Sequence, residues 1–381
     1  MRRPLPVLAV TLLTLCPAMT AAQTVTTRDI PFTSHDGHAM TGRLSLPTTP
    51  GRHPVMVFVQ NAEAATLDQR TRDAKGQPVA FFDLYRDTLG PLGIGFFSYE
   101  GRGVHTDATR PRAMRVDRDV YDTSSIDNKV RDIISAVRLL QKEAGVDAGQ
   151  IYLRGVSEGT LLAAEAASRV PTEVKGLVLS GVIGSTLKVS LVHQVQGGRM
   201  LQLLAEFDTD RDQKISAQEW EADTRGFRKK NIPTATFESV DPDKDGFMTL
   251  ADMKVLTKPL SDAFASGNVE ITEAFLKQAA VVEIPKGWVA DHFAHRAMWD
   301  FLSPLTMPVG IFQGDDDRNT GVEDVQALEK LARGASRTNI EFRYFPGLGH
   351  GLGSTDYFQK GAHSAGYVAI FEFMKRHTQP R

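Results

Sequence analysis

Apolar and polar positions alternate along this chain with a period that changes in a regular way. Thr24 to Thr33 and Met40 to Leu46 alternate around the turn residues His35-Asp36-Gly37-His38, which predicts a hairpin. Val55 to Val59 (VMVFV) and Ile94 to Tyr99 (IGFFSY) are nearly continuous apolar runs, the pattern of strands covered on both faces. Ile126 to Leu140 returns Val130, Ile133, Ile134, Val137 and Leu140 at helical spacing. Then come a strand at Ile151 to Arg154, a helix at Leu161 to Ser168 and a strand at Val174 to Ser180. Near the C-terminus the same rhythm gives strands at Val309 to Phe312 and Ile340 to Phe345, and helices at Val322 to Ala332 and Tyr367 to Lys375. This alternation predicts an α/β fold with a mostly parallel sheet and helices on both faces.

One connection breaks the rhythm. Between Gly184 and Pro304 lie roughly 120 residues, where a crossover needs about a dozen. The division this implies is a core made of 23–185 and 305–381, and a helical cap inserted at 186–304.

Composition narrows the functional classes. Hydrophobic residues make up 41% and charged residues 24%, ordinary for a chain that buries a core. Lys and Arg number 44 against 46 Asp and Glu, so the net charge of -2 gives no electrostatic case for nucleic acid. Arg2-Arg3, the apolar run Leu5 to Leu15 and the small residues Thr20-Ala21-Ala22 read as an export leader over 1–22, too short to span a bilayer. The expected location is therefore exported, periplasmic or extracellular, with no membrane span. The one cysteine, Cys16, falls in that leader, so the mature chain carries no disulfide.

The densest chemical signal is Gly155-Val156-Ser157-Glu158-Gly159, set between a strand and an Ala/Leu-rich helix. A strand turning sharply into a helix lifts its corner residue into the crevice at the carboxyl end of the sheet. Small neighbours let strand and helix approach, and the Glu158 N–H at the new helix start can stabilise an oxyanion. Ser157 is thus the candidate nucleophile in a G-x-S-x-G elbow. A hydroxyl needs a base, and the base an orienting acid, in the chain order Ser, Asp, His. His350, in Gly349-His350-Gly351 after the last strand, is the candidate base. Gly314-Asp315-Asp316-Asp317 follows the preceding strand. Asp317 is the chosen acid, with Asp315 and Asp316 as competitors of which at least one is a solvated loop residue.

Together with the hairpin DGHAMTGRLSLP and the segment FSYEGRGVHTD, these pieces resemble the α/β-hydrolase superfamily, in the style of secreted carboxylesterases and dienelactone-hydrolase-like or peptidase-like branches. The resemblance covers Thr24 to Ser185 and Leu305 to Arg381. It implies a second oxyanion donor after the third strand. There the superfamily usually carries His-Gly, whereas this chain has Gln60-Asn61-Ala62, leaving the backbone of Asn61 or Ala62 for that role.

The insertion carries a different pattern, at about 200–258. Asp208, Asp210, Asp212, Ser216 and Glu219 occupy positions 1, 3, 5, 9 and 12 of a twelve-residue loop, with Lys214 offering a carbonyl at position 7. A second copy has Asp241, Asp243, Asp245, Thr249 and Asp252, with Phe247 at position 7. This is EF-hand spacing, which wraps oxygen ligands around calcium. Ile215 and Met248 match at position 8, so the two loops are expected to pair through a short ribbon. Gln213 stands where glycine is usual, at about 1 kcal/mol if φ is positive, and Asp252 is one carbon shorter than glutamate. The expected affinity is on the order of 10⁻⁵ to 10⁻³ M, with calcium a structural brace of the cap and no cofactor in catalysis. His292 and His295, in WVADHFAHRAMWDF, share a helix face without an evident third metal ligand, which favours packing or pocket lining.

The sequence therefore predicts a secreted serine hydrolase that cleaves small-molecule carboxylic esters through Ser157, His350 and Asp317. A serine peptidase or thioesterase uses the same triad. The reading from a different class is a calcium-dependent binding or sensor module on an inactive hydrolase scaffold.

Overall fold

The computed structural model describes residues 25–61, 66–106, 114–279 and 284–378; the expected leader at 1–22 and Ala62 lie outside them. Eight strands form one sheet: β1 (Val25–Thr33), β2 (Ala39–Pro47), β3 (His53–Phe58), β4 (Gly95–Tyr99), β5 (Val146–Val156), β6 (Gly176–Ser180), β7 (Val309–Gly314) and β8 (Ile340–Phe345). Their spatial order is β1-β2-β4-β3-β5-β6-β7-β8. Strand β2 runs against both neighbours, and every other pairing beyond it is parallel. The hairpin and the run-on apolar strands stand where periodicity put them, and β4, β6 and β7 are buried along their whole length.

The helices used below are α1 (Asp83–Leu89), α2 (Ile126–Leu140), α3 (Glu158–Arg169), α4 (Leu187–Val195), α5 (Gly197–Phe207), α6 (Val269–Ala279), α7 (Trp288–Ala294), α8 (Val322–Gly334) and α9 (Ala365–Thr378). Helix α2 starts where the Ser125 side chain accepts the Asn128 N–H, and it buries Val130, Ile133, Ile134, Val137 and Leu140 against the sheet. One face of the sheet packs on α2, α3 and part of the insertion. The other packs an aromatic layer that includes Phe82 and Tyr85 of the α1 region, Phe96, Tyr152, Phe312 and Phe373. Helix α1 was not legible as a periodic pattern, because its short apolar stretch merges with the aromatic run before it.

The insertion joins β6 to β7 and has a small core of its own. Met200, Leu203, Phe207, Ile215, Trp220, Phe237, Val240, Met248 and Met253 are buried together, with Phe207 stacked on Trp220 at 4.8 Å. Ile215 pairs with Met248 in a two-residue antiparallel ribbon, so the acidic loops lie side by side as their spacing predicts. No helix among the described residues is long and apolar enough to cross a membrane.

A buried ion cluster ties the N-terminal hairpin to the sheet. Arg102, in the turn after β4, donates to Asp132 of α2 at 2.7 Å and to Asp36 of the hairpin turn at 2.6 Å, and Ser34 bonds both Arg102 and Asp132. The Arg102 and Asp132 side chains are 3% and 4% exposed. Removing one partner leaves a buried charge without compensation, which costs about 3–5 kcal/mol. The variant Arg102→Ala is therefore expected to lower unfolding stability by about that amount, read from urea denaturation, whereas truncation of the exposed partner Lys258 in its surface pair with Asp262 changes it by less than about 1 kcal/mol.

Candidate functional site

Strand β5 ends at Val156 and α3 begins at Glu158, so Ser157 alone makes the corner, with φ 55° and ψ −126°. A side-chain-bearing residue rarely holds this backbone, and doing so costs on the order of 1–3 kcal/mol. The glycines make it possible. A Cβ on Gly155 would lie 2.4 Å from the Gly159 carbonyl oxygen, and one on Gly159 would lie 2.9 Å from that of Val59. Beneath the corner, fully buried Arg154 donates to the carbonyls of Gly155 and Val178 and to the Ser180 hydroxyl, holding the ends of β5 and β6 together. The pattern G-x-S-x-G gave no hint of this arginine.

Asp317 and His350 come together from the loops after β7 and β8. Both Asp317 carboxylate oxygens lie in reach of His350 Nδ1, at 2.9 and 3.0 Å. Asp317 is 1% exposed, and its carboxylate also accepts from Gln313 Nε2, the Thr320 hydroxyl and the N–H groups of Asn319 and Thr320. Burial opposes its charge, but the His350 and Thr320 donors outweigh burial and hold it below the usual carboxylate range. With Nδ1 bonded to Asp317, the imidazole keeps Nε2 for another partner. The two competing aspartates stay outside this arrangement: Asp315 accepts the Gly347 N–H, and Asp316 is half-buried and held above the usual carboxylate range by burial.

Ser157 and His350 line one cavity of about 330 Å³. Its wall comes from the core (Asn61, Val156, Ile183, Asn319) and from the insertion (Leu187, Leu191, Gln194, Leu276, Ile284, Trp288), so the inserted segment overhangs the serine. Asn61 sits at the cavity edge, and its Oδ1 is buried with no hydrogen-bond partner among the described residues.

The side chain of Glu158 does work that its sequence position did not suggest. One carboxylate oxygen accepts from Lys129 Nζ at 3.0 Å, Trp288 Nε1 at 2.8 Å and His292 Nε2 at 2.8 Å. Glu165, two turns along α3, accepts from His295 Nε2 at 2.8 Å. The two histidines three residues apart are thus clamps that fasten the cap to the helix behind Ser157, not a metal pair. Burial opposes the Glu158 charge, yet Lys129, His292 and Trp288 hold its carboxyl far below the ordinary range. Burial pushes the His292 imidazole below its ordinary value, against the pull of Glu158.

In the insertion, the carboxylates of Asp208, Asp210 and Asp212 converge to within 4.8 Å of one another, as do those of Asp241, Asp243 and Asp252. Asp245 stands outside the second cluster, and Glu219 outside the first: its oxygens accept from Thr209 and Ser216 N–H and hydroxyl groups, which hold it at about 2 despite burial. Ser216 and Thr249 act as N-caps for the short helices that follow. Gln213 does take positive φ, 69°, as Gly246 does at 89°. Asp241 is 5% exposed, and its Oδ1 has no hydrogen-bond partner among the described residues. The clustered carboxylates offer only oxygen, which suits a hard cation such as calcium.

Glu158 and His292 both carry folded-state pKa values below their unfolded ones, so the unfolded chain takes up protons first as pH falls. The His292 contribution to stability is complete above the ordinary histidine value near 6.5 and is lost progressively below it, whereas that of Glu158 is lost only below the ordinary glutamate value near 4.3. The melting temperature is expected to fall between about pH 7 and pH 5, and His292→Gln, which keeps an N–H donor for Glu158 without a titrating ring, is expected to flatten that slope in calorimetry.

No family profile matches the chain, and no curated protein matches it. Solved structures do. The α/β hydrolase GrgF from Penicillium sp. sh18 superposes with a TM-score of 0.52 at 15% identity, over 93% of this chain and 99% of that one. DcsB, solved with a substrate analogue, gives 0.52 at 15% over 93% and 100%. The acylaminoacyl peptidase of Pyrococcus horikoshii gives 0.51 at 12% over 94% of this chain but 42% of its own length. With the strand order, the single reversed strand β2 and the corner at Ser157, these likenesses establish that the chain has the α/β-hydrolase fold.

Proposed function

We propose that this protein is a serine hydrolase that cleaves carboxylic esters by acyl transfer, with Ser157 as nucleophile, His350 as general base and acid, and Asp317 as the group that orients His350. The observation that carries the reading is the pairing of Asp317 with His350 Nδ1 at 2.9 Å beside a cavity that His350 shares with the strained Ser157. In this reading His350 Nε2 takes the hydroxyl proton as Ser157 Oγ adds to the ester carbonyl. The oxyanion is met by the Glu158 N–H at the start of α3 and by an N–H of Asn61 or Ala62. Collapse expels the alcohol, which takes the proton from His350. Water, deprotonated by the same imidazole, then releases the acid and restores the serine.

The cavity supports an ester over a peptide with a charged terminus. Val156, Ile183, Leu187, Leu191, Leu276, Ile284 and Trp288 make its wall mostly apolar. The one carboxylate in the lining, Glu158, is already committed to Lys129, Trp288 and His292. We therefore read the substrate as a neutral small-molecule ester with an apolar acyl group. The apolar leader at 1–22 favours an exported enzyme.

In the same reading the two acidic loops are EF-hand-type calcium sites that brace the cap. The buried, unpartnered Asp241 oxygen and the left-handed backbone at Gln213 favour it, since both are unfavourable without a ligand to organise them.

The variant Ser157→Ala is expected to lower kcat/KM for p-nitrophenyl esters by about 10⁴-fold or more and to end labelling by a fluorophosphonate, while circular dichroism stays unchanged. Residual ester cleavage at wild-type rate would remove Ser157 from the mechanism. Calcium at about a hundredfold excess over its dissociation constant is expected to add about 2.7 kcal/mol per site, seen as a rise of several degrees in melting temperature that EDTA reverses. An identical melt with calcium and with EDTA would rule out the brace.

A further inference from the structure

The acid loop after β7 is gripped from outside by the junction of α4 and α5. His193, near the end of α4, places Nε2 at 2.8 Å from the Asp317 carbonyl oxygen, and since a carbonyl only accepts, this nitrogen carries the proton. Gln194 donates to the Asn319 carbonyl at 3.2 Å. Between them, the Arg318 carbonyl faces Gly198 at the start of α5, where a Cβ would come within 2.0 Å of its oxygen. The His193 ring also packs on Gly321, at the far end of the loop, with 2.7 Å between its Nδ1 and a Cβ built there. Three successive carbonyls of the loop that carries Asp317 therefore face the α4–α5 junction, two of them as hydrogen-bond acceptors.

Helix α5 connects that grip to the acidic loops. It has 11 residues, about 15 Å of rise, and ends at Phe207, directly before Asp208. Met200, Leu203 and Phe207 set it into the small core that also holds Ile215 and Met248, the paired residues of the two loops. The acid loop and the acidic lobe thus meet opposite ends of one 11-residue helix. A change in the lobe that moves or loosens α5 acts on Gly198 and, through the tight α4–α5 junction, on His193.

We propose that calcium binding in the two loops sets the order of residues 315–321 through α5, with His193 as a positioning residue for the Asp317–His350 pair, so that the metal regulates turnover rather than only bracing the cap. This rests on the hydrolase and calcium-site readings above. The differential contact lies at the lobe, where bound cation favours the state in which α5 is seated, and the acid loop is read out in that state.

The experiment combines three readouts on the full mature chain, with calcium and with EDTA: terbium luminescence for the metal sites, backbone hydrogen exchange of the peptide covering 313–321, and kcat and KM on a p-nitrophenyl ester. Calcium is expected to slow exchange in 313–321 and to raise kcat, each by about fivefold or more, with KM little changed. In His193→Ala, terbium still binds but exchange in 313–321 and kcat no longer respond to calcium; His193→Gln, which can offer an amide N–H to the Asp317 carbonyl, regains part of the response. In Asp243→Asn, with His193 intact, the loop is expected to exchange fast whether or not calcium is added. Terbium binding with no change in 313–321 of the wild-type chain overturns the coupling and leaves the metal sites standing. No terbium binding overturns coupling and metal sites together. An exchange response without fluorophosphonate labelling of Ser157 retains the coupling to the loop and rejects the hydrolase reading and the regulation of turnover with it.

Discussion

Everything at the candidate site depends on the close approach of β5 to α3 across the Ser157 corner. The two glycines let backbone meet backbone, and only then can a serine be held at φ 55°. The strain of that corner is sustained because both elements it joins are anchored in the core: β5 lies mid-sheet between β3 and β6, and α3 is buried along most of its length. Arg154 adds a further restraint by fixing the ends of β5 and β6 from beneath. A corner so constrained presents its hydroxyl with little freedom, and fixed geometry is what acyl-transfer chemistry requires.

The same helix that begins at the corner is the anchor for the cap. Glu158 and Glu165 lie on α3 and receive His292 and His295, while Lys129 of α2 supplies the positive charge that keeps the first carboxylate ionised. Trp288 shares that carboxylate and at the same time lines the cavity. Cap position, cavity wall and the first residue of α3 after the Ser157 corner are therefore mechanically continuous. Burying this charged group is unfavourable alone, and its pairing makes the contact specific in geometry more than strong in net energy.

A second attachment runs from the other side of the cap. His193, Gln194 and Gly198 meet the loop of Asp317, so the insertion touches both the helix that follows Ser157 and the loop that carries Asp317. The lobe of acidic loops carries its own small apolar core, and α5 runs from that core to the loop of Asp317. An insertion placed after β6 can make these contacts because it leaves the sheet at the carboxyl edge where Ser157, Asp317 and His350 also emerge.

Much was legible in the sequence where the information is local. Apolar runs gave the strands of the parallel sheet, because a strand buried on both faces has no polar alternation to hide it. Gly155 and Gly159 announced the corner, since only glycine permits that approach, and the matched Ile215 and Met248 announced the ribbon, because the two loops share one twelve-residue frame. Asp317 could be preferred but not separated from Asp315 and Asp316 by spacing alone; burial and the bond to His350 separated them. The roles of Arg154, Lys129, His193 and the His292–Glu158 pair were invisible, since each depends on a partner far away in sequence and no local pattern encodes which side chains a fold will bring face to face. Sequence by itself determined the elements, the corner and the loops; the tertiary structure alone decided which distant charges meet, because pairing in a buried, low-dielectric interior is set by the packing of whole elements and not by the order of residues within them.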